Sequence, residues 1–319
     1  PFFNSYHRLD MYNEAVYWKL NEDIMSFEDI KGMRTKSEAF FESSDYFSAY
    51  RFDKMQGIDD MNPAMLVSAY VRRHNTDRFY AEDYAKWAKK PFEQIKVQLI
   101  KLANAGFLTY EIENEFAIIR PRLNEYLAAR SGVKDSDIIQ FKSYVEKGSN
   151  AQLDLKTMRL SIEGVNQVML SDSQYVYVAP RDGKVIVNKN RDFSFKGRVH
   201  AGLFDFLANE CTFQYDKFSM SMPKIDSAMM VVPAWEMDAN GYRPFVRVKN
   251  VIANMNGDLL IDAPDSKSGR KMLHQYPILM SKDTSYVYFE RKDIVNGIYK
   301  RKNFYFQINP FTLDSVNSL

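Results

Sequence analysis

The amino-acid sequence predicts an α+β protein in which a helical insert interrupts a β-rich, repetitive architecture of sandwich or solenoid-like kind. Three observations predict it. The chain holds 20 Tyr, 23 Phe and 3 Trp, mostly in short alternating runs, the period-two pattern of strands. Between residues 62 and 130 the period changes to that of amphipathic helices. From Ala151 onward, strand-like runs recur at a spacing near ten residues.

Each element follows from local pattern. Ala15 to Leu20 and Ile24 to Phe27 read as a hairpin across the polar turn Asn21-Glu22-Asp23. Residues 38 to 52 are aromatic-rich with a mixed period, which leaves helix or strand open. Asn62-Pro63 starts a helix, Asn as N-cap and Pro at the first helical position, with Leu66, Val67, Ala69, Tyr70 and Val71 as its apolar stripe. Phe79-Tyr80 forms a short strand. Glu82 to Lys89 forms a second helix, with Tyr84, Ala85 and Ala88 inward. A third runs from Pro91 to Ala105 with Ile95, Leu99, Leu102 and Ala103 at helical spacing, and Gly106 ends it. Phe107 to Ile112 and Phe116 to Ile119 then alternate as a hairpin around Glu113-Asn114-Glu115.

The later strands are Leu153 to Leu155, Arg159 to Ile162, Tyr175 to Val178, Lys184 to Val187, Phe193 to Phe195, Phe204 to Phe206 and Thr212 to Tyr215. Two echoes suggest a loose duplication: Phe218 to Ser227 resembles Phe304 to Ser315, and Asp172 to Tyr177 resembles Asp283 to Tyr288. The domains expected are therefore a β-rich segment 1–61, a helical unit 62–131 and a β-rich domain 132–319. A length of 319 residues agrees with more than one core, since one core rarely exceeds about 250 residues.

The order helix, short strand, helix, helix, hairpin, with Ile95-Lys-Val-Gln-Leu-Ile-Lys-Leu-Ala-Asn-Ala-Gly-Phe-Leu108 at its centre, resembles the winged helix-turn-helix family. That resemblance implies DNA binding, and the residues argue against it. Val97 and Ile100 are apolar on the helix face that would read bases, although Lys96 and Lys101 share it. Glu111, Glu113 and Glu115 on the wing would repel phosphates. Arg72, Arg73, Arg78, Lys86, Lys89 and Lys90 on or beside the first two helices are read as a solvated face. Lys96, Val97, Ile100 and Lys101 are thus the candidate interaction face, with Val97 and Ile100 expected to be covered by protein.

Across the whole chain, Pro1-Phe-Phe-Asn-Ser-Tyr-His7, Arg191-Asp-Phe-Ser-Phe195, Ala201-Gly-Leu-Phe204 and Ala263-Pro-Asp-Ser-Lys-Ser-Gly269 resemble an internal portion of very large multidomain proteins of Bacteroidota bacteria. This resemblance implies a repetitive β architecture and export, and carries over no catalytic or binding residue. A start without Met and the end at Asn317-Ser-Leu319 fit a segment of a longer polypeptide.

No constellation of residues points to catalysis. His7, His74, His200 and His274 are far apart and form no metal-ligand spacing. Cys211, the single cysteine, excludes an internal disulfide, has no nearby His to activate it, and is read as a buried small hydrophobe. His200 and Asp205 would form a dyad only through a turn, because residues five apart on one strand lie on opposite faces. Asp226-Ser227 and Asp314-Ser315, beside Pro223 and Pro310, read as recurring turns. The polar stretch Asp262 to Lys271 reads as a solvated loop, although Lys267, Arg270 and Lys271 could meet an anion.

With a net charge of +2, bulk electrostatics select neither nucleic acid nor anionic membrane, and no apolar run approaches the ~20 residues of a membrane helix. The expectation is a non-catalytic architectural or protein-interaction module without a cofactor, its partners being other domains of the same polypeptide or another protein. DNA binding is the alternative, and a hydrolase assembled from distant residues the third reading. Compartment is undetermined, with an extracytoplasmic one favoured.

Overall fold

A computed structural model describes residues 1–30, 37–57, 59–247, 252–290 and 295–314. At 40% strand and 19% helix it is a β-rich α+β fold with large antiparallel sheets. The chain divides into two compact units: Ser44–Asp137, and Phe2–Ser43 together with Ile138–Leu319.

Among its described residues the unit Ser44–Asp137 holds five helices, α1 (Ala49–Gln56), α2 (Pro63–His74), α3 (Ala81–Ala88), α4 (Phe92–Asn104) and α5 (Pro121–Ser131). A three-stranded sheet accompanies them, Arg78–Tyr80 and Leu108–Glu111 flanking Phe116–Ile119. Asn62 caps α2 as its residue type predicts, its side chain accepting from the Ala64 amide at 2.9 Å while its Nδ2 donates to the Phe52 carbonyl at 2.7 Å. Ile95, Leu99 and Leu102 of α4 join Ala64, Val67, Tyr70, Tyr84 and Phe107 in a closed core.

Ala69, expected in the α2 stripe, is exposed, and Ser68 is buried in its place. The mixed-period stretch resolves into the strand Ser37–Ser43 followed by α1. Sequence pattern missed α5, because only Leu123 and Ala129 are buried on it and its apolar period is weak. Its Pro121 start and left-handed Gly132 end were the readable signals.

In the β-rich unit, Phe2–Asn4, Leu9–Tyr12, Ser37–Ser43 and Gln140–Val145 form a four-stranded sheet. The larger sheet runs antiparallel through Ala15–Trp18, Ile24–Glu28, Ala151–Asp154, Arg159–Ile162, Val185–Val187, Phe193–Ala201, Phe204–Gln214 and Ser219–Pro233. Ser219–Pro233 then carries Met255–Leu260, leading to Ile278–Ser281 and Thr312–Leu313. Through Ile252–Ala253 it leads to Ser285–Tyr288 and Tyr305–Ile308. Strand order alone describes a closed barrel. Among the described residues Ala15–Trp18, Val168–Ser171, Phe245–Arg247, Tyr305–Ile308 and Thr312–Leu313 each carry a ladder along one side.

Two expectations about this sheet are corrected. The sequence pattern predicts separate strands at Phe204 to Phe206 and Thr212 to Tyr215, but Phe204–Gln214 is one strand of 11 residues. Register shifts between Ala208, Glu210 and Thr212 absorb the polar Asn209-Glu210 pair as bulges, so the ladder continues. Likewise Pro223 lies within the 15-residue strand Ser219–Pro233, at a register shift between Met222 and Ile225 where a missing N–H costs little. Asp226-Ser227 is therefore strand and not turn, and Asp226 accepts both contacts from Asn209 Nδ2, at 2.8 and 2.7 Å. The echo at Phe304 to Asp314 is instead two short strands, Tyr305–Ile308 and Thr312–Leu313, and Ser315 lies outside the described residues.

Candidate binding surface

On α4 the face nominated by sequence is divided. Val97 is 51% exposed, against the expectation of a covered side chain, and Ile100 is half-buried. Lys101 is exposed, whereas Lys96 is engaged: its Nζ lies 3.3 Å from Glu115 Oε1 and 5.7 Å from the Phe92 ring centre. The hairpin glutamate thus neutralises the lysine that would otherwise face a phosphate. The unit Ser44–Asp137 is balanced in charge, with 14 Lys and Arg against 14 Asp and Glu. Gln98, which apolar periodicity passed over, is buried and donates to Asp59 at 2.7 Å. Lys90 and Gln94 also reach Asp59, at 2.9 and 2.8 Å, and this network ties the loop before α2 to α4.

His200 and Asp205 are brought together, which corrects the opposite-face expectation. A turn at Gly202 folds Phe193–Ala201 onto Phe204–Gln214, so the two residues face each other in register, with Nδ1 3.0 Å from Oδ1. Arg198 grips the same carboxylate with both Nε and an Nη at 2.8 Å. Burial acts to raise the Asp205 pKa, and the hydrogen bonds from Arg198 and His200 outweigh it, holding the carboxyl below its ordinary value. Tyr177 stacks on the His200 ring at 4.8 Å and Tyr175 meets it edge-on at 5.1 Å. This cross-strand row ties neighbouring strands together on the outer face of the sheet.

The other nominated groups are dispersed. His7 contacts the Met158 carbonyl at 2.9 Å, and burial pushes its pKa down. His74 packs on Tyr70, and His274 is exposed. Among the described residues no three potential ligands form a metal cluster. Cys211 is buried, and desolvation pushes its thiol up to about 12, far from a nucleophile's range. In the Asp262–Lys271 loop, Lys271 pairs with Asp265, Lys267 donates to the Pro264 carbonyl, and Asp262 and Ser266 are buried, so the loop is less solvated than its composition suggests.

A surface of another kind lies along the ladder between Ser285–Tyr288 and Tyr305–Ile308. Tyr286 and Tyr288 sit two residues apart on one strand and share a face, their rings 6.1 Å apart. Tyr305, opposite Tyr288 on the paired strand, meets them edge-on at 5.6 and 6.5 Å. The Arg301 guanidinium lies 4.2 Å from the Tyr288 ring centre, and Lys300 and Lys302 stand exposed beside it around an open groove. Phe306, 61% exposed and opposite Val287, lies on the other face of this ladder, and Phe304, 47% exposed, packs on Phe289 and Tyr299. In the sequence Tyr286, Tyr288, Tyr305 and Phe306 stand out only as parts of an internal echo, and Lys300, Arg301 and Lys302 carry no expectation. The available signal was Tyr at period two followed by a Lys-Arg-Lys run before the next strand. Among the described residues no helix is long and apolar enough to cross a membrane. No protein-family model, curated protein or solved structure matches the chain.

Proposed function

We infer that the chain is a non-catalytic interaction module of a larger polypeptide, and that its contact surface is the one carrying Tyr286, Tyr288, Tyr305 and Arg301. The single observation carrying this reading is the concentration of half-buried and exposed rings and of cations along the ladder between Ser285–Tyr288 and Tyr305–Ile308. Tyr and Arg bury large areas at low entropic cost and dominate protein interfaces. In this reading residues 62–131 are a winged-helix-type unit used as architecture. The helix, strand, helix, helix, hairpin order supports that assignment, and charge balance together with the Lys96–Glu115 pair supports a role other than DNA binding. The resemblance to large multidomain Bacteroidota proteins fits the same role.

A photo-crosslinking residue placed at Tyr305 in the full-length polypeptide tests the reading. Crosslinks to another protein, or to another segment of the same polypeptide, are expected. Labelling confined to nucleic acid or glycan, or no labelling beside a reactive control position, would overturn it.

A further inference from the structure

The strand Ser219–Pro233 ends in a hairpin arm. Val231, Val232 and Pro233 pair with Arg247, Val246 and Phe245, and the Ala234 amide donates to the Pro244 carbonyl at 2.7 Å. At the tip the Asp238 amide donates to the Tyr242 carbonyl at 2.7 Å, and the Asp238 carboxylate accepts from the Asn240 and Tyr242 amides, both at 2.9 Å. This ordered ribbon carries apolar side chains into water. Trp235 is 96% exposed and Tyr242 73%, and Met237, Phe245 and Val246 are exposed as well. Phe245 and Val246 are consecutive on one strand and point to opposite faces, so neither face of the ribbon is covered. A two-stranded ribbon is marginal alone, and exposed apolar surface of this extent marks a contact site.

A matching recess lies on the same sheet. Tyr286, Tyr288 and Tyr305 line a groove of about 590 Å³ together with Glu290, Lys300, Arg301 and Lys302. Among the described residues none of the three cations has a carboxylate partner, and Arg301 rests on the Tyr288 ring. Over the complete stretch Glu290 to Lys302, with Arg291, Lys292 and Asp293 counted, five basic residues stand against two acidic, a net +3. Between Ala234 and Pro244 the arm holds Glu236, Asp238 and Arg243, a net −1, and its other basic residues, Arg247 and Lys249, follow at its root. Acidic groups thus sit at the tip.

The row Ala228, Ile252, Val287 and Phe306 crosses four strands in register. Antiparallel pairing puts Tyr288 on the side of that row toward which Ser219–Pro233 runs into the arm. Arm and groove therefore lie toward one end of the same strands, and the arm, prolonging a 15-residue strand, leads off that end and away from its own groove.

We propose that the arm of one copy seats in the tyrosine groove of a second copy: Trp235 packs on the Tyr286, Tyr288 and Tyr305 rings, Glu236 and Asp238 meet Lys300, Arg301 and Lys302, and Arg243 meets Glu290. This deepens the interaction-module reading, on which it rests, by naming a second copy as the partner. Because arm and groove share one end of the sheet, two copies set end to end exchange arms and close a two-fold dimer with two identical contacts. Trp and Tyr supply the buried area, and the charged groups set the orientation.

Sedimentation velocity across a concentration series, joined to photo-crosslinking, tests the proposal. A monomer–dimer equilibrium is expected. Trp235→Ser should weaken it about tenfold or more, as should the triple variant Lys300→Glu, Arg301→Glu, Lys302→Glu. Melting of the monomer should be unchanged in each, because these side chains are exposed. Tyr50→Ser, likewise exposed but on the helical unit, should leave the equilibrium as it is. With a photo-crosslinking residue in place of Met237, in a mixture of isotopically light and heavy chains, crosslinks should join position 237 of one isotope to residues 286–305 of the other. A wild-type chain that stays monomeric throughout, a dimer indifferent to both variants, or crosslinks from position 237 confined to one chain or to other segments of the second would overturn the proposal. Crosslinking from Tyr305 to a different protein, by a chain that stays monomeric, would also remove it and leave the interaction-module reading standing.

Discussion

The guanidinium of Arg191 lies 3.5 Å from the ring centre of Tyr215, fully inside the β-rich unit. Its Nη1 donates to Ser43 Oγ at 2.7 Å, so this one side chain ties a residue at the end of the 37–43 strand to one beyond the 204–214 strand. A buried cation on an aromatic face contributes about 2 kcal/mol, and a hydrogen bond to a charged group about 1.5 to 3 kcal/mol.

Arg191→Ala should therefore lower stability by about 2 to 4 kcal/mol, read from urea unfolding. Arg191→Lys should rescue little, because an ammonium cannot both stack on Tyr215 and reach Ser43. A change within about 0.5 kcal/mol for Arg191→Ala would refute the role assigned to it.

Asp59 should make the helical unit acid-sensitive. Its pKa is held below the ordinary 3.8, first by the hydrogen bond from Lys90, against burial, with Gln98 and Gln94 adding to the effect. A folded-state pKa below the unfolded one means that the native state binds fewer protons there. The stabilisation is complete above pH 3.8 and is lost as pH falls through the lowered native value. Asp59→Asn should destabilise the protein near neutral pH, and its deficit relative to wild type should shrink on acidification below pH 4. A deficit constant with pH would exclude this carboxylate as the cause.

Cys211 should be inert in the native state. With the side chain 1% exposed and the thiol pushed up to about 12, a thiol reagent at pH 8 should label it only on unfolding. Labelling should accelerate with added urea in step with loss of the β signal. Rapid stoichiometric labelling of the folded chain would contradict the burial.

On α4, Val97→Lys should change stability by less than about 0.5 kcal/mol, because the side chain is half in water already. Ile100→Lys should cost about 1 to 2 kcal/mol, since its half-buried apolar surface is lost to a charge. Paired thermal melts of the two variants decide it, and equal losses would mean that Val97 is covered after all.

By itself the sequence determined what depends on neighbours along the chain. The β-rich α+β class followed from alternation of aromatics, α2 from Asn62-Pro63, α4 and its buried Ile95, Leu99 and Leu102 from a 3.6-residue period, and the acidic hairpin from composition. Tertiary structure decided whatever required segments distant in sequence to meet. Pro223 and Asn209-Glu210 look like strand breakers locally, and only neighbouring strands that tolerate a bulge make them strand interior. His200 and Asp205 face each other because the turn at Gly202 sets the register of a hairpin, a relation that a single-strand rule cannot express. The tyrosine-lined surface depends on the ladder between Ser285–Tyr288 and Tyr305–Ile308, which brings Tyr288 opposite Tyr305. Pairing across a sheet is fixed by the burial of one whole face, a sum over many strands, whereas helical period and capping are satisfied within one turn.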